Sequence, residues 1–438
     1  MKSTQNLLHK TYRSITGSIA FYPTLIAVGF LIFSTIIMLI EYEPFMMDVK
    51  ERISFVLVKS KEDARLVLGT LVGSIISLMV FSFSMVMIVL NRASSTLSPR
   101  VIPGLITDKS NQVVLGFYLG SIVYSLILIV NVQSEETIST PDFGILLAMI
   151  FGITCLAFFM YFIHTISQNI QVDNILDSIY SKTKREMDRL TLDEDEKEDQ
   201  QPDTENWFTL NTSKAGYFKK MKVKELVELC EHHEVKVQIL EPIGCFFVEN
   251  APLFQIDKQI DDELKNKIES CFILYPQEWV SDHYVFGFKQ ISEIAIKALS
   301  PGINDPGTAI KAIHLLTLLY IKKVQMNEKY VIQDSEGEDR LFFKQITFEK
   351  LYDDHITQIR IYGKSDTLVM LALLHGLLNM YKADAYGNNK DSIIRYFKAS
   401  IEVCNKNFES ELDFSSVNKV IEELNSLSPT TSIAQLST

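Results

Sequence analysis

Four long apolar runs lie within the first 166 residues, and each is long enough to cross a bilayer. A helix needs roughly 20 apolar residues to span a hydrocarbon core about 30 Å thick. The runs predict transmembrane helices over residues 21–40, 66–90, 113–132 and 144–166. The first run ends in acidic residues rather than a small-residue cleavage site, which favours a retained span over a signal peptide.

Small and polar residues interrupt the second run at regular intervals. Thr70, Ser77, Ser84 and Asn91 recur every seven residues, and Ser74 lies close to them. Seven residues drift only about 20° around a helix, so these side chains form one slowly winding stripe. The sequence leaves two interpretations open: a packing seam between helices, or the wall of a water-filled pore.

The short loops between the spans differ in charge. Arg92 and Arg100 follow the second span, and a basic segment follows the fourth, whereas the loop after the third span carries acidic residues only. Basic loops stay in the cytoplasm, so both chain termini are predicted there. Arg92 and Arg100 would then bind lipid phosphate or, if the stripe lines a pore, form its inner mouth.

Beyond the fourth span the pattern changes to that of a water-exposed domain. An amphipathic helix is expected to continue from the fourth span to about residue 190, so residues 1–190 form the membrane domain. The charged segment 191–206 cannot bury enough apolar surface to fold and reads as a linker. Residues 207–430 mix helical and strand periodicities, and 431–438 read as a loose tail. The predicted fold class is a membrane all-α domain plus a cytoplasmic α+β domain, mostly helical with a small antiparallel sheet.

Composition adds few further constraints. The chain is 47% hydrophobic with a net charge of −12, much of it between Asp193 and Glu205. This charge would argue against a nucleic-acid partner, but outside that segment the balance of charges is ordinary. We expect no nucleic-acid partner. The five cysteines form no close pair, so neither a disulfide framework nor a cysteine zinc site is indicated. We find no catalytic, cofactor or metal motif, and dispersed candidates such as His283, His314 and His355 lack ligand spacing, so we expect neither an enzyme nor a bound cofactor.

The most distinctive turn of the water-exposed part lies at residues 300–309. Asn304 and Asp305 precede Pro306, a sequence typical of a helix N-cap followed by proline. Their oxygens could also ligate a cation, and the free amides behind them could bind an anion. Asn304 and Asp305 are therefore the candidate ligand site of this part, with capping as the simpler explanation.

Three segments, at residues 92–100, 112–120 and 298–309, resemble the bacterial predicted membrane proteins of the domain-of-unknown-function family 2254. The resemblance runs over nearly the whole chain and implies an integral protein of the bacterial inner membrane, with no established activity. The chain departs from the family pattern at Glu278 and Trp279, where an arginine-threonine pair is common, and again at residues 241–246.

We therefore expect an oligomeric ion channel or transport protein whose second spans line the axis, with the cytoplasmic domain as gate or sensor. The alternative is a non-conducting scaffold or signalling receptor whose cytoplasmic domain binds a ligand or a protein. Expected partners are membrane lipids, further copies of the chain, and an ion or small ligand.

Overall fold

The computed structural model divides the chain into two compact units: a membrane unit ending at Gln171, and a C-terminal unit beginning at Val172. Each is described by itself. The structure describes residues 20–58, 60–96, 109–132, 140–169, 171–191, 202–275, 283–326, 331–344, 346–427 and 433–436.

The described part of the membrane unit is helical. Four helices are long and apolar enough to cross a membrane, which confirms the four predicted spans. A short helix, α2, joins the first two. The bounds are α1 Phe21–Ile40, α2 Pro44–Arg52, α3 Lys61–Thr96, α4 Lys109–Asn131 and α5 Asp142–Asn169.

The tightest helix contact of this unit joins α1 to α4. The sequence of α4 contains Gly116 and Gly120 four residues apart, a spacing that allows two helices to approach closely. Ile26 packs over Gly116, and the ring of Phe30 lies over Gly120. A Cβ added at Gly120 would lie 2.5 Å from Cδ2 and 2.7 Å from Cγ of that ring. The glycine surface of α4 is therefore a close helix contact.

We expect Gly120→Ala to destabilise the membrane unit. The new methyl must displace the Phe30 ring, and overpacking of this kind costs about 1–3 kcal/mol. Gly29→Ala is the matched control, because no atom lies within 4 Å of a Cβ added there. Detergent-induced unfolding followed by circular dichroism measures both; equal midpoints for the two variants would contradict the contact.

A buried carboxylate ties one end of the membrane unit together. The side chain of Glu41, one residue beyond α1, is 0% exposed and pairs with Lys50 of α2 at 2.7 Å. Its two oxygens accept the backbone N–H groups of Phe143 and Gly144, at 3.0 and 3.1 Å. Those amides belong to the first turn of α5, where a helix has unpaired donors and favours negative charge. Glu41 thus joins three helices.

The C-terminal unit begins with a separate helix. The sequence predicts one helix from the fourth span to about residue 190, whereas α5 ends at Asn169 and α6 begins at Val172. The sequence suggests continuity because both segments have helical periodicity. α6 instead buries its apolar side within the C-terminal unit, and Val172 onward belongs to that unit.

Two small sheets follow α6. One has the order β1-β5-β3-β8-β7 and the other β4-β2-β6. The pairs are antiparallel except β3 with β8. These elements enclose one apolar core that includes Leu226, Phe254 and Ile268. Their bounds are β1 Phe208–Asn211, β2 Gly216–Met221, α7 Val223–His233, β3 Val237–Ile239, β4 Phe246–Phe247, β5 Pro252–Ile256, α8 Asp262–Glu269, β6 Phe272–Tyr275, β7 Val331–Gln333 and β8 Asp339–Phe342.

The remaining helices form a second core rich in buried aromatic rings. Phe288 contacts Tyr320 edge to face, with ring centroids 4.9 Å apart, and Tyr352 stacks on Tyr396 at 4.2 Å. The small sheets and the helices together confirm the predicted fold class. The helices are α9 Val285–Ala298, α10 Pro306–Gln325, α11 Phe348–His355, α12 Thr357–Tyr362, α13 Thr367–Ala383, α14 Lys390–Asn407 and α15 Glu411–Leu427.

Part of the predicted loose tail is held in place. Ile433 is buried, and residues 433–436 lie along α15. Two asparagine side chains of α15 bond the backbone of this segment, a contact that the polar composition of the tail does not indicate.

Candidate functional site

The second membrane helix, α3, buries one face inside the membrane unit. Leu68, Ile75, Ser82 and Val89 are all buried, and they too recur every seven residues. Leu71 adds to this contact, since its Cδ2 would lie 2.6 Å from a Cβ added at Gly152 of α5. This face fixes the rotation of α3 within the unit.

The polar stripe lies on the opposite face of α3. Each stripe position at the seven-residue interval follows a buried position by two residues, which is about 200° around a helix. The structure brings together on this outward face all five predicted stripe residues, each of them exposed: Thr70, Ser74, Ser77, Ser84 and Asn91.

Two glycines extend the stripe that the sequence predicts. Gly69 and Gly73 are exposed, and no atom lies within 4 Å of a Cβ added to either. With Ser77 they form a small-residue ridge at intervals of four, the spacing that permits close approach of a second helix. The sequence could have indicated Gly69 through its distance of four residues from Gly73. A search for the seven-residue interval of the stripe does not find it.

The stripe hydroxyls are satisfied within their own helix. Ser77 Oγ donates to the Gly73 carbonyl and Ser84 Oγ to the Val80 carbonyl, each at 2.9 Å. An unsatisfied polar group in lipid costs several kcal/mol, and these bonds remove much of that cost. They leave the hydroxyl oxygens free to accept one further bond each from water or a neighbouring chain.

Other membrane helices point many of their polar side chains inward. Ser34 of α1 is buried, as are Gln112, Ser121 and Ser125 of α4. Exposed hydroxyls on α1, such as Thr35, occur singly and without a repeated spacing. A polar row facing outward with a repeated spacing is therefore a particular property of α3 among the described spans.

The two predicted cationic residues follow the stripe. Arg92 comes directly after Asn91, in the last part of α3. Arg100 lies outside the described residues. Their roles as lipid anchors or as an inner mouth stay predictions.

The turn at residues 304 and 305 has the geometry of a helix cap. Asp305 Oδ1 accepts the Thr308 N–H at 3.1 Å, and Oδ2 accepts the Thr308 hydroxyl at 2.6 Å. Asn304 is exposed and takes a left-handed backbone conformation with φ of 49°. Both carboxylate oxygens thus already have a partner. Asp305 therefore caps its helix, which is the simpler of the two explanations given above. Ligand binding at Asn304 and Asp305 stays a prediction.

The histidines of the C-terminal unit do not assemble a site among the described residues. His355 is buried against Phe288, with ring centroids 6.3 Å apart. Burial lowers its pKa to about 4; Asp354 opposes this shift, and Lys289 and Lys350 add to it. The imidazole is therefore neutral at pH 7. In the described ranges no cluster of three or more His, Cys, Asp or Glu side chains is placed to hold a metal ion.

The helix that follows the fourth span, α6, is anchored along its length. Lys311 of α10 pairs with Asp173 and Asp177 at 3.2 and 3.0 Å. Near the other end, Lys322 pairs with Asp188 at 2.5 Å. The buried side chains between these pairs are Ile175, Leu176, Ile179, Thr183 and Met187.

A glycine permits the closest approach to α6. A Cβ added at Gly287 of α9 would overlap Thr183, lying 2.8 Å from its Cβ and closer still to its Oγ1. Thr183 is itself fully buried and donates to the Ile179 carbonyl. The sequence did not indicate Gly287 or the lysine pairs as functional, because their partners lie over 100 residues away along the chain.

Comparison with known proteins agrees with the membrane architecture. A family model described as "Predicted membrane protein (DUF2254)" matches residues 16–379. Proteins of Mycobacterium bovis and Mycobacterium tuberculosis, both named as uncharacterized, are 26% identical over 329 residues. The match covers 71% of this chain and 62% of each relative, so this chain spans less than two thirds of their length. No solved structure matches.

Proposed function

The chain belongs to this family of membrane proteins, and from that premise we propose that it is an oligomeric ion channel or transport protein. Its place is the bacterial inner (plasma) membrane, with both termini in the cytoplasm, as the loop charges favour. Copies of α3 face a common axis, and the C-terminal unit serves as gate or sensor. The activity is transport without chemical catalysis.

The outward stripe on α3 carries this proposal. Its five polar residues are exposed, while Leu68, Ile75 and Val89 face the other spans. Ser77 and Ser84 already bond their own helix, but lipid offers no partner for the further bond that each oxygen can accept, whereas a second copy or a water-filled axis does. Small residues also let several copies of α3 approach one axis closely.

The remaining parts fit the same assembly. In this assembly Arg92 and Arg100, which follow the stripe in the sequence, bind lipid phosphate or favour anions at a cytoplasmic inner mouth. The helix α6 follows the fourth span after a gap of two residues and is fastened to α10 by lysine pairs. Movement of the C-terminal unit thus has a direct chain connection to the membrane helices.

We expect cysteines on the stripe to react with a water-soluble thiol reagent in intact membranes. A thiol reacts as the thiolate, which forms where water is present. Ser77→Cys and Ser84→Cys should react at least about 10-fold faster than Ser82→Cys, which is buried on the opposite face. Mass spectrometry locates the label, so the native cysteines can remain.

A control at a lipid-facing position distinguishes exposure to water from exposure to lipid. Ile153 of α5 is 67% exposed and lies on a different span from the stripe, so Ile153→Cys should stay unreactive. Flux from liposomes completes the test: Ser84→Leu and Asn91→Leu should reduce it. Unreactive stripe cysteines together with absent flux from the purified protein would refute the proposal.

A second candidate is a non-conducting scaffold or receptor in which the stripe packs between copies. The bonds from Ser77 and Ser84 to their own helix favour it, because the hydroxyls then need no water. In that case the stripe cysteines should form disulfides between copies under oxidation but resist the aqueous reagent. The C-terminal unit would bind the ligand or protein partner, which a ligand-dependent shift in melting temperature would detect.

A further inference from the structure

The last described segment of the chain is held by two asparagines of α15. Asn425 Oδ1 accepts the Ile433 N–H, and its Nδ2 donates to the Ile433 carbonyl, both at 2.9 Å. Asn418 repeats the arrangement with Leu436, at 2.8 and 2.9 Å. Each side-chain amide thus satisfies both backbone groups of one residue.

The spacing of the two asparagines matches an extended peptide. They are seven residues apart on α15, which at 1.5 Å per residue is about 10 Å and returns to the same helix face. Ile433 and Leu436 are three residues apart, which in an extended chain is also about 10 Å. The pairing order, Asn425 with Ile433 and Asn418 with Leu436, makes the segment antiparallel to the helix.

One buried side chain adds to these backbone bonds. Ile433 is buried and anchors the described segment, Leu436 is half-buried, and residues 434 and 435 are exposed. Gln435 Nε2 donates to Glu422 at 2.7 Å on the surface. The site therefore recognises the backbone N–H and C=O groups of two residues and one buried apolar side chain. It tolerates different side chains at the two positions between them.

We propose that Asn418 and Asn425 form a docking site for an extended peptide segment of a partner protein, and that the chain's own tail is its internal ligand. The partner segment presents a free N–H and C=O on two residues three apart, with an aliphatic side chain on the first. Main-chain bonds supply affinity in such recognition, and the apolar anchor supplies specificity. Because the tail is tethered, its effective concentration reaches the millimolar range, and a partner must displace it.

The test uses the full-length protein in detergent and a fluorescein-labelled peptide with the sequence of residues 431–438. In the Ile433→Glu variant the internal tail loses its anchor and vacates the site. Fluorescence anisotropy should then show the peptide binding this variant at least about 10-fold more tightly than the wild type. Circular dichroism verifies that the variant is folded.

Two controls address the asparagines and the backbone. Adding Asn418→Ala and Asn425→Ala to Ile433→Glu should abolish binding. Adding Asn407→Ala instead, whose side chain donates to the Val403 carbonyl of its own helix, should not. A peptide methylated on the nitrogens matching Ile433 and Leu436 cannot donate and should not bind. Equal binding of the methylated peptide, or no binding to folded Ile433→Glu, would overturn the proposal.

Discussion

Glu41→Ala is expected to lower the free energy of unfolding of the membrane unit by about 3–5 kcal/mol, the usual cost of removing one partner from a buried ion pair. The loss leaves Lys50 without its carboxylate and two amides of α5 without their acceptor. Each orphaned group then carries its own desolvation penalty. Detergent-induced unfolding, followed by circular dichroism, measures the change.

Two further variants identify the cause. Glu43→Ala removes an exposed carboxylate two residues away that makes no capping bond, and should change stability by less than about 0.5 kcal/mol. The double variant Glu41→Ala with Lys50→Met removes both charges, so it should recover part of the loss. A loss in Glu43→Ala equal to that in Glu41→Ala would show that the buried network does not hold these helices together.

The apolar runs predict the spans well because lipid imposes a composition on any helix that crosses it. The first span is predicted at residues 21–40 and observed as Phe21–Ile40. The helix of the second span, α3, begins at Lys61, five residues before the apolar run. Helical hydrogen bonding continues beyond the hydrocarbon boundary into charged residues. Run length thus locates the span but not the ends of its helix.

The sequence cannot tell which face of α3 is covered. Ser77 and Ser82 are both serines within the uncharged run 66–90, and both belong to seven-residue series. Ser82 is buried on the face of Ile75 and Val89, and these two residues pack in one cluster with large side chains of α4 and α5 that only the tertiary structure brings together. The position of the stripe is therefore predictable, while its outward direction is not.

Several contacts that the sequence does not indicate depend on distant partners. The strand β8 pairs with β3, so Leu341 lies opposite Val237, and β1 pairs with β5. Glu41 resembles an ordinary acidic span end until α5 supplies its amides. Periodicity within a short window carries no information on such contacts. For the same reason, the sequence does not indicate that α9 crosses α6 at Gly287 and Thr183.

At that crossing, Gly287→Ala should destabilise the C-terminal unit by about 1–3 kcal/mol, because the new methyl overlaps Thr183. A glycine-to-alanine change in a helix otherwise stabilises by up to about 1 kcal/mol. Gly307→Ala on α10 tests that expectation, since a Cβ there meets its nearest neighbour at an ordinary 3.5 Å. Thermal unfolding of the two variants should therefore shift in opposite directions.

The crossing also connects the C-terminal unit to the proposed transport function. If α6 relays the state of this unit to the fourth span, Gly287→Ala should alter the regulation of flux while leaving the reactivity of stripe cysteines on α3 unchanged. Thr183→Ala, which removes Oγ1 and Cγ2 from the overlap, should restore part of both stability and regulation. Restored stability without restored regulation would mean that α6 supports the fold of the C-terminal unit but carries no signal.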